Sequence, residues 1–489
     1  MAKFSFDRMP QLQLLSSSDI EQIHQSALEH LENVGVLFDH EEGLKILQNT
    51  GCTVDFEAKT AKFPPALVKK AIESAPEQFN LYGRNGDLII ELGRGQTYFA
   101  PGPGCPSILA DSGIETRRGS YKDLVLSTKV ADVLPKISLN STTIAPDDIP
   151  VEIRDVYALY IALKGSNKPV NGEAWTPGAV PRLYELVTSL YDNPQEFEEK
   201  PCMILAACPT PPQKFETPVV QNMIECAKYN IPVYVCPAPV AGVSAPVTLA
   251  GAILAHTIEA LAGITFMQIM REGARVFYAG APAVFDMRTS YASLTTLETS
   301  MIVNGYSQMG KYYGIPTLAF IGESDSKVID YQAGYETAMS SMIASLSATD
   351  LVLGAGGLDS LITTSIDKLV IDGEMLNFPL RLQRGISVNE DTLAKDLIAK
   401  VNHEGVFITQ KHTAKWFKKD VSIINTILDR QNYNSWKMGG SVGIVNRAKD
   451  KLQDIIELPG NDLSPERLAK LNTKMVEIAQ KLNVTVPLD

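Results

Sequence analysis

What this chain lacks narrows it before any motif is found. Its 489 residues hold six cysteines and no CxxC pair, which argues against a disulfide-stapled secreted scaffold. No HExxH or P-loop occurs, so the usual marks of a zinc peptidase and a nucleotide hydrolase are missing. No GxGxxG follows the first strand, which leaves dinucleotide binding without its phosphate cradle. Basic charge is in deficit: 44 Lys and Arg against 56 Asp and Glu give a formal net charge of −12. That balance disfavours nucleic acid and anionic membrane as partners. The opening MAKFSFDRMP has no apolar stretch of the kind a secretory leader needs, and a cytoplasmic protein is expected. The longest apolar stretch, Val243 to Met270, carries His256, Glu259 and Gln268 and many Ala and Gly. It reads as a buried barrel or interface helix rather than a membrane span.

Hydrophobic content of 45% with 20% charged residues is that of a soluble enzyme. The length exceeds the single-core limit of about 250–300 residues, so a large α/β body with terminal additions is expected. Residues 1–95 read as a helical extension. Ile20, Ile23, Ala27, Leu31 and Val34 mark one helical face, a second helix starts near Glu41, and a third follows Pro65. From residue 96 to 415 the pattern becomes regular, with apolar runs of strand length alternating with helical segments. The runs are Ile137–Ile144, Lys168–Trp175, Met203–Pro209, Pro232–Pro239, Arg275–Pro282, Pro316–Ile321, Leu351–Gly357 and Val406–Thr413. Eight βα units predict a (β/α)8 TIM barrel, an α/β fold. Residues 416–489 are mostly charged helix, expected outside the barrel or on a partner subunit.

In such a barrel the functional groups stand just past the C-terminal ends of the strands. These ends supply Glu173 and Trp175, Cys208, Cys236, Phe285 to Arg288, Glu323 and Asp325, the glycines Gly354 to Gly357, and His412. Tyr331 and Gln332 open the helix after the sixth run. Each has a plainer reading: aromatic rings fill barrel mouths, buried cysteines act as small apolar residues, and His256 reads as a core histidine. Cys208, Cys236 and His412 together are the one candidate metal set, unsupported by any short His/Cys spacing. No nucleophile–base pair stands out. An aromatic and acidic face with a few guanidinium and amide donors suits a small organic cation bearing a polar handle.

The segments GESDSKVIDYQAGYE, LGAGGLDSLITTSIDKLVIDGE, HTAKWFKKD and DRQNYNSW, with LENVGVLF and FPPALVKKAIESAP nearer the start, resemble the trimethylamine methyltransferase superfamily. The resemblance runs through most of the chain and implies a (β/α)8 barrel. Founding members demethylate trimethylamine and carry pyrrolysine. This chain has only standard residues and so resembles the branch without it, whose members move a methyl group from glycine betaine, proline betaine or carnitine to the Co(I) corrinoid of a separate protein. The resemblance thus implies a corrinoid-protein partner docking at the barrel mouth, with no tightly bound cofactor and no metal in this chain. A homo-oligomer is also expected. The mechanism is positioning without a catalytic residue, because a quaternary amine leaves as a neutral tertiary amine. From strand-end position, Trp175, Phe285 and Tyr331 are candidates for the ammonium cage. Arg288, Gln332 and His412 are candidates for the substrate carboxylate, with Glu323 and Asp325 as an outer acidic shell. Other betaines, a non-catalytic betaine-binding barrel, and a metal-dependent lyase or hydrolase are the alternatives.

Overall fold

The computed structural model describes residues 11–403, 405–421, 427–461 and 463–488. The leader-free reading of Met1 to Pro10 falls outside them. Eight short strands form the centre: β1 Tyr98–Pro101, β2 Asn140–Ser141, β3 Val170–Asn171, β4 Met203–Ala207, β5 Val233–Val235, β6 Val276–Gly280, β7 Thr317–Ala319 and β8 Leu351–Ala355. Each pairs in parallel with the next from β2 to β8, and β8 returns to β1 with Leu351 opposite Tyr98. The ring closes between β1 and β2, where the Ser138 amide donates to the Phe99 carbonyl at 2.8 Å. The fold is a (β/α)8 barrel.

Its crossover helices are α1 Tyr121–Val133, α2 Arg154–Gly165, α3 Ala179–Thr188, α4 Thr217–Lys228, α5 Leu249–Met270, α6 Leu297–Tyr312, α7 Tyr331–Leu346 and α8 Ile366–Met375. Local chemistry starts them. Ser120 and Asp123 form a capping box at α1, and Asp330 caps α7 by accepting from the Ala333 amide at 2.9 Å.

Seven of the eight runs read from the sequence are barrel strands, and the eighth is not. Val406 to Thr413 is a turn that enters the helix Lys411–Asp420. The first strand is instead Tyr98–Pro101, only four residues long and followed by the turn-rich Gly102–Pro103–Gly104, which hides it. Val406, Phe407 and Ile408 imitate a strand by composition, but all three are exposed. The barrel's last crossover helix therefore ends at Met375.

Inside the barrel, Tyr98, Leu139, Ile204, Tyr234, Phe277, Leu318, Leu351 and Leu353 form one core. The hairpin Phe79–Tyr82/Leu88–Leu92 closes its N-terminal end, with the Phe79 ring edge-on to Phe277 at 5.0 Å. Helices Ser17–Asn33 and Pro65–Ser74 lie over α5. This packing explains why α5 is apolar on every side: it is long and apolar enough to cross a membrane, yet 72% of its most apolar window is buried inside the fold. Helices Ile444–Glu457 and Pro465–Lys481 pack on α8 with α1 and on α2 with α3, respectively, burying Ile455, Leu471, Met475 and Ile478.

Candidate active site

The barrel is plugged at one end, so the site is sought at the C-terminal ends of its strands. Along β7 the side chains alternate, and Leu318 and Phe320 share the inward face. Leu318 is fully buried, whereas Phe320, one step higher, packs on the core and stays part-exposed. Its ring lies 6.1 Å from that of Tyr234. Ala206 and Ala281 stand at the same level and are also part-exposed. Two small residues and one aromatic face thus leave the barrel axis open to solvent above a closed core.

Glu173 and Trp175 form the opposite wall. The loop that carries them is held by Asp155, buried on α2, which accepts from the Trp175 and Thr176 amides at 3.1 and 2.9 Å and from the Thr176 hydroxyl at 2.8 Å. The indole of Trp175 lies against Gly104, where a Cβ would stand 3.2 Å from Cζ2 and 3.9 Å from Glu173 Oε1. Desolvation pushes the Glu173 carboxyl up to about 8, moderated by a hydrogen bond from Trp175 and reinforced by Asp155.

Glu323 reaches the site by a different route. Gly322, at φ 93°, turns the chain off β7 and sends Glu323 under β8. The side chain is fully buried, and neither carboxylate oxygen has a hydrogen-bond partner. Gly354 makes this possible, since a Cβ there would lie 2.3 Å from Glu323 Oε2. Burial pushes Glu323 to about 8, against the pull of Lys368 and with help from Asp325 and Asp372. Lys368 is itself buried and committed elsewhere: it donates to Asp372 at 2.6 Å and to Thr337 at 2.9 Å. Asp372 also receives the Gly356 amide at 2.8 Å. Two carboxyls with raised pKa therefore lie at one barrel end, a pattern that marks functional sites.

Asp325 has a structural part. It accepts hydrogen bonds from Ser293, on the strand Tyr291–Ser293, and from Ser360, in the loop after β8. That loop runs through Asp359, Ser360 and Leu361 at φ 51°, 50° and 65°. Three successive non-glycine residues there cost about 1–3 kcal/mol each. Bonds from the Asp359 amide to Ser326 and from the Ser360 amide to Ser324, at 3.0 and 3.2 Å, hold the strained turn. The Leu361 side chain presses on Gly102 and Gly357, where a Cβ would come within 2.4 Å of it.

The residues chosen from the sequence divide. Trp175 stands at the mouth and Glu323 beneath it. Phe285 lies half-buried on the strand Ala283–Asp286, in a small sheet beside the mouth rather than on the barrel wall. Three others correct the sequence reading. Arg288 is 89% exposed and clamps Asp286 at 2.7 and 3.1 Å, holding that carboxyl down at about 2, so its fork is already occupied. Tyr331, the first residue of α7, is 94% exposed, too open to solvent to wall a desolvated cage. His412 sits on the exposed helix Lys411–Asp420 against the Asp391 carbonyl at 2.9 Å, because the strand expected to present it does not exist. Gln332 donates to Glu336 at 3.0 Å, and Glu336 accepts from Ser324 at 2.6 Å and from the Asp325 amide at 2.9 Å. It supports the loop. Among the described residues no group of three His, Cys, Asp or Glu side chains is placed to hold a metal ion. Phe320 was missed, although its two-residue spacing from Leu318 was the signal that would have found it.

Fold and site together define a (β/α)8-barrel protein whose open end joins aromatic faces to buried acids. The chain belongs to the trimethylamine methyltransferase family, whose model matches residues 2–477. Among its relatives, a glycine betaine methyltransferase of Desulfitobacterium hafniense is 30% identical over 430 residues, covering 88% of this chain and 89% of that protein. A trimethylamine methyltransferase of Methanosarcina barkeri is 29% identical over 452 residues, 91% of each chain. The solved monomethylamine methyltransferase of Methanosarcina barkeri aligns with a TM-score of 0.46 at 12% identity, over 89% of this chain and 92% of that one. The activity class is methyl transfer from an amine.

Proposed function

We propose that the protein moves a methyl group from a quaternary amine, glycine betaine foremost, to the Co(I) corrinoid of a separate protein and releases the tertiary amine. The observation that carries this reading is the barrel mouth, where Phe320 and Trp175 face an open axis beside Glu173. The likeness to a glycine betaine methyltransferase supports the choice of donor. Aromatic faces attract quaternary ammonium by cation–π interaction, about 0.5–2 kcal/mol per contact. The corrinoid is the second substrate and supplies the nucleophile. The openness at Ala206 and Ala281 suits an acceptor approaching from outside along the axis.

This chain's share of the chemistry is positional. Phe320 and Trp175 orient one N–CH3 bond along the axis, and the rings keep water from the ammonium. The bonding pair of the broken C–N bond stays on nitrogen, so dimethylglycine leaves neutral at that atom and needs no acid. A reduced acceptor fits a reducing compartment, which supports the reading of a cytoplasmic protein.

The test is incubation of the purified protein with a reduced corrinoid protein and each of glycine betaine, proline betaine and carnitine. Loss of Co(I) absorbance with stoichiometric tertiary amine, identified by mass spectrometry, is expected for one donor. Binding of a betaine without turnover on any acceptor would instead favour a betaine-binding protein, and failure to bind any betaine overturns the proposal.

A further inference from the structure

Methyl transfer employs neither of the two thiols at the ends of β4 and β5. The strands pair Leu205 with Val233, Ala206 with Tyr234 and Ala207 with Val235. The ladder continues one step further, since the Cys236 amide donates to the Ala207 carbonyl at 2.9 Å. Cys208 and Cys236 are therefore the next residues in register. Both follow inward-facing positions two residues earlier, Ala206 and Tyr234, so their Cβ atoms point into the mouth on the same side. Neighbouring strands stand about 4.8 Å apart, inside the Cα separation of about 4.4–6.8 Å that a disulfide spans. Desolvation first, and then the neighbouring Cys208 thiol, push the Cys236 thiol above its ordinary value. Of the six cysteines, Cys208 alone is exposed.

We propose that Cys208 and Cys236 form a reversible disulfide site in the wall of the barrel mouth, closed by peroxide and reopened by thiols. Cys208, reachable from solvent, is the first to react. Its thiolate attacks one peroxide oxygen, the O–O bond breaks, and the departing hydroxide takes a proton to become water, leaving Cys208 as a sulfenic acid. The Cys236 sulfur then attacks the Cys208 sulfur. The S–O bond breaks, the hydroxyl leaves with the Cys236 proton as a second water, and two thiols have been oxidised for one peroxide reduced to two waters. Cys236 is buried, and desolvation keeps its thiol protonated until that second step. A small electrophile reaches Cys208 and not its partner, which makes the couple sequential.

The experiment treats the intact protein with a slight excess of hydrogen peroxide, alkylates it after unfolding, and maps the tryptic peptides by mass spectrometry. The expected result is a linked pair of peptides carrying Cys208 and Cys236, lighter than the two reduced peptides by the mass of two hydrogens. A thiol reductant should reverse the link, and Cys208→Ser and Cys236→Ser should each abolish it. Cys226→Ser should leave it unchanged. Accumulation of Cys208 sulfinic acid with Cys236 still alkylated overturns the proposal, as does a Cys208–Cys208 link between two chains.

Discussion

Raising the pH from 5.5 to 8.5 should tighten glycine betaine binding by about two orders of magnitude. Burial holds Glu173 and Glu323 near 8, so at neutral pH both are mainly protonated before betaine binds. A cation seated within about 4–6 Å of a carboxyl lowers its pKa by about 1–3 units. The pKa of Glu173 thus drops from about 8 toward about 6 when the ammonium docks beside it. The bound state then holds fewer protons than the free state between those two values, so binding releases protons and strengthens as pH rises through that window. A drop of about two units corresponds to an affinity gain of ~100-fold across it, with 10-fold and 1,000-fold as the limits of the range. At pH 7 about 0.8 proton leaves per betaine bound. Isothermal titration calorimetry in phosphate and in Tris measures this directly, because the apparent enthalpy shifts with the buffer's ionisation heat. Glu173→Gln should flatten most of the pH dependence and leave only the share that belongs to Glu323. A Kd constant within twofold from pH 5.5 to 8.5, with no buffer dependence, would refute the placement of the cation beside Glu173.

Phe320→Ala should raise the betaine Kd by about tenfold, from ~1–2 kcal/mol of lost cation–π and packing energy, while Phe285→Ala changes it by less than about twofold; equal effects would move the cage to the small sheet. Gly354→Ala forces a methyl group into the Glu323 carboxylate and the Ile321 carbonyl, each 2.3 Å from the new Cβ. Its unfolding free energy in urea should fall by about 1–3 kcal/mol, and an unchanged midpoint would count against that contact. Glu323 is protonated more readily folded than unfolded, so its burial costs stability as pH rises from its ordinary value through about 8. Glu323→Gln should therefore gain stability relative to wild type between pH 6 and 9, read from denaturant midpoints, and a constant difference would mean the carboxyl is not buried. His412→Ala and Arg288→Ala should leave betaine affinity unaltered, and a tenfold loss in either would bring that residue back to the substrate.

The barrel was legible because its strands are buried on both faces and read as continuous apolar runs between turn residues. β1 escaped because four residues followed by Pro and Gly carry too little pattern. Val406 to Ile408 deceived for the opposite reason, since local composition does not say whether a partner strand exists. The site was harder. Trp175 and Glu323 were found by counting just past strand ends, where position alone is informative. Tyr331 was misplaced because how far a helix exposes its first residue depends on packing against elements distant in sequence, and His412 because the strand meant to present it is a turn. Arg288 appeared free only because its neighbour Asp286, two residues away, was not paired with it. The pKa shifts of Glu173 and Glu323 were beyond reach, being properties of burial rather than of residue type.

Those shifts bear on why a barrel would place acids beside a substrate that must lose its charge. As the methyl group departs, the nitrogen's positive charge disperses, so a fixed carboxylate in contact with it stabilises the bound substrate more than the transition state. An acid that must first give up a proton holds the cation less tightly, by about 1.4 kcal/mol for every unit its pKa stands above the ambient pH. At pH 7 a carboxyl near 8 thus loses roughly that much of its grip, and the aromatic faces of Phe320 and Trp175 carry a larger share of the binding. Rings attract through polarisation and packing as well as charge, so they lose less than a carboxylate when the ammonium becomes a neutral amine. Burying Glu173 and Glu323 therefore moderates ground-state binding while keeping the field at the mouth favourable to cations.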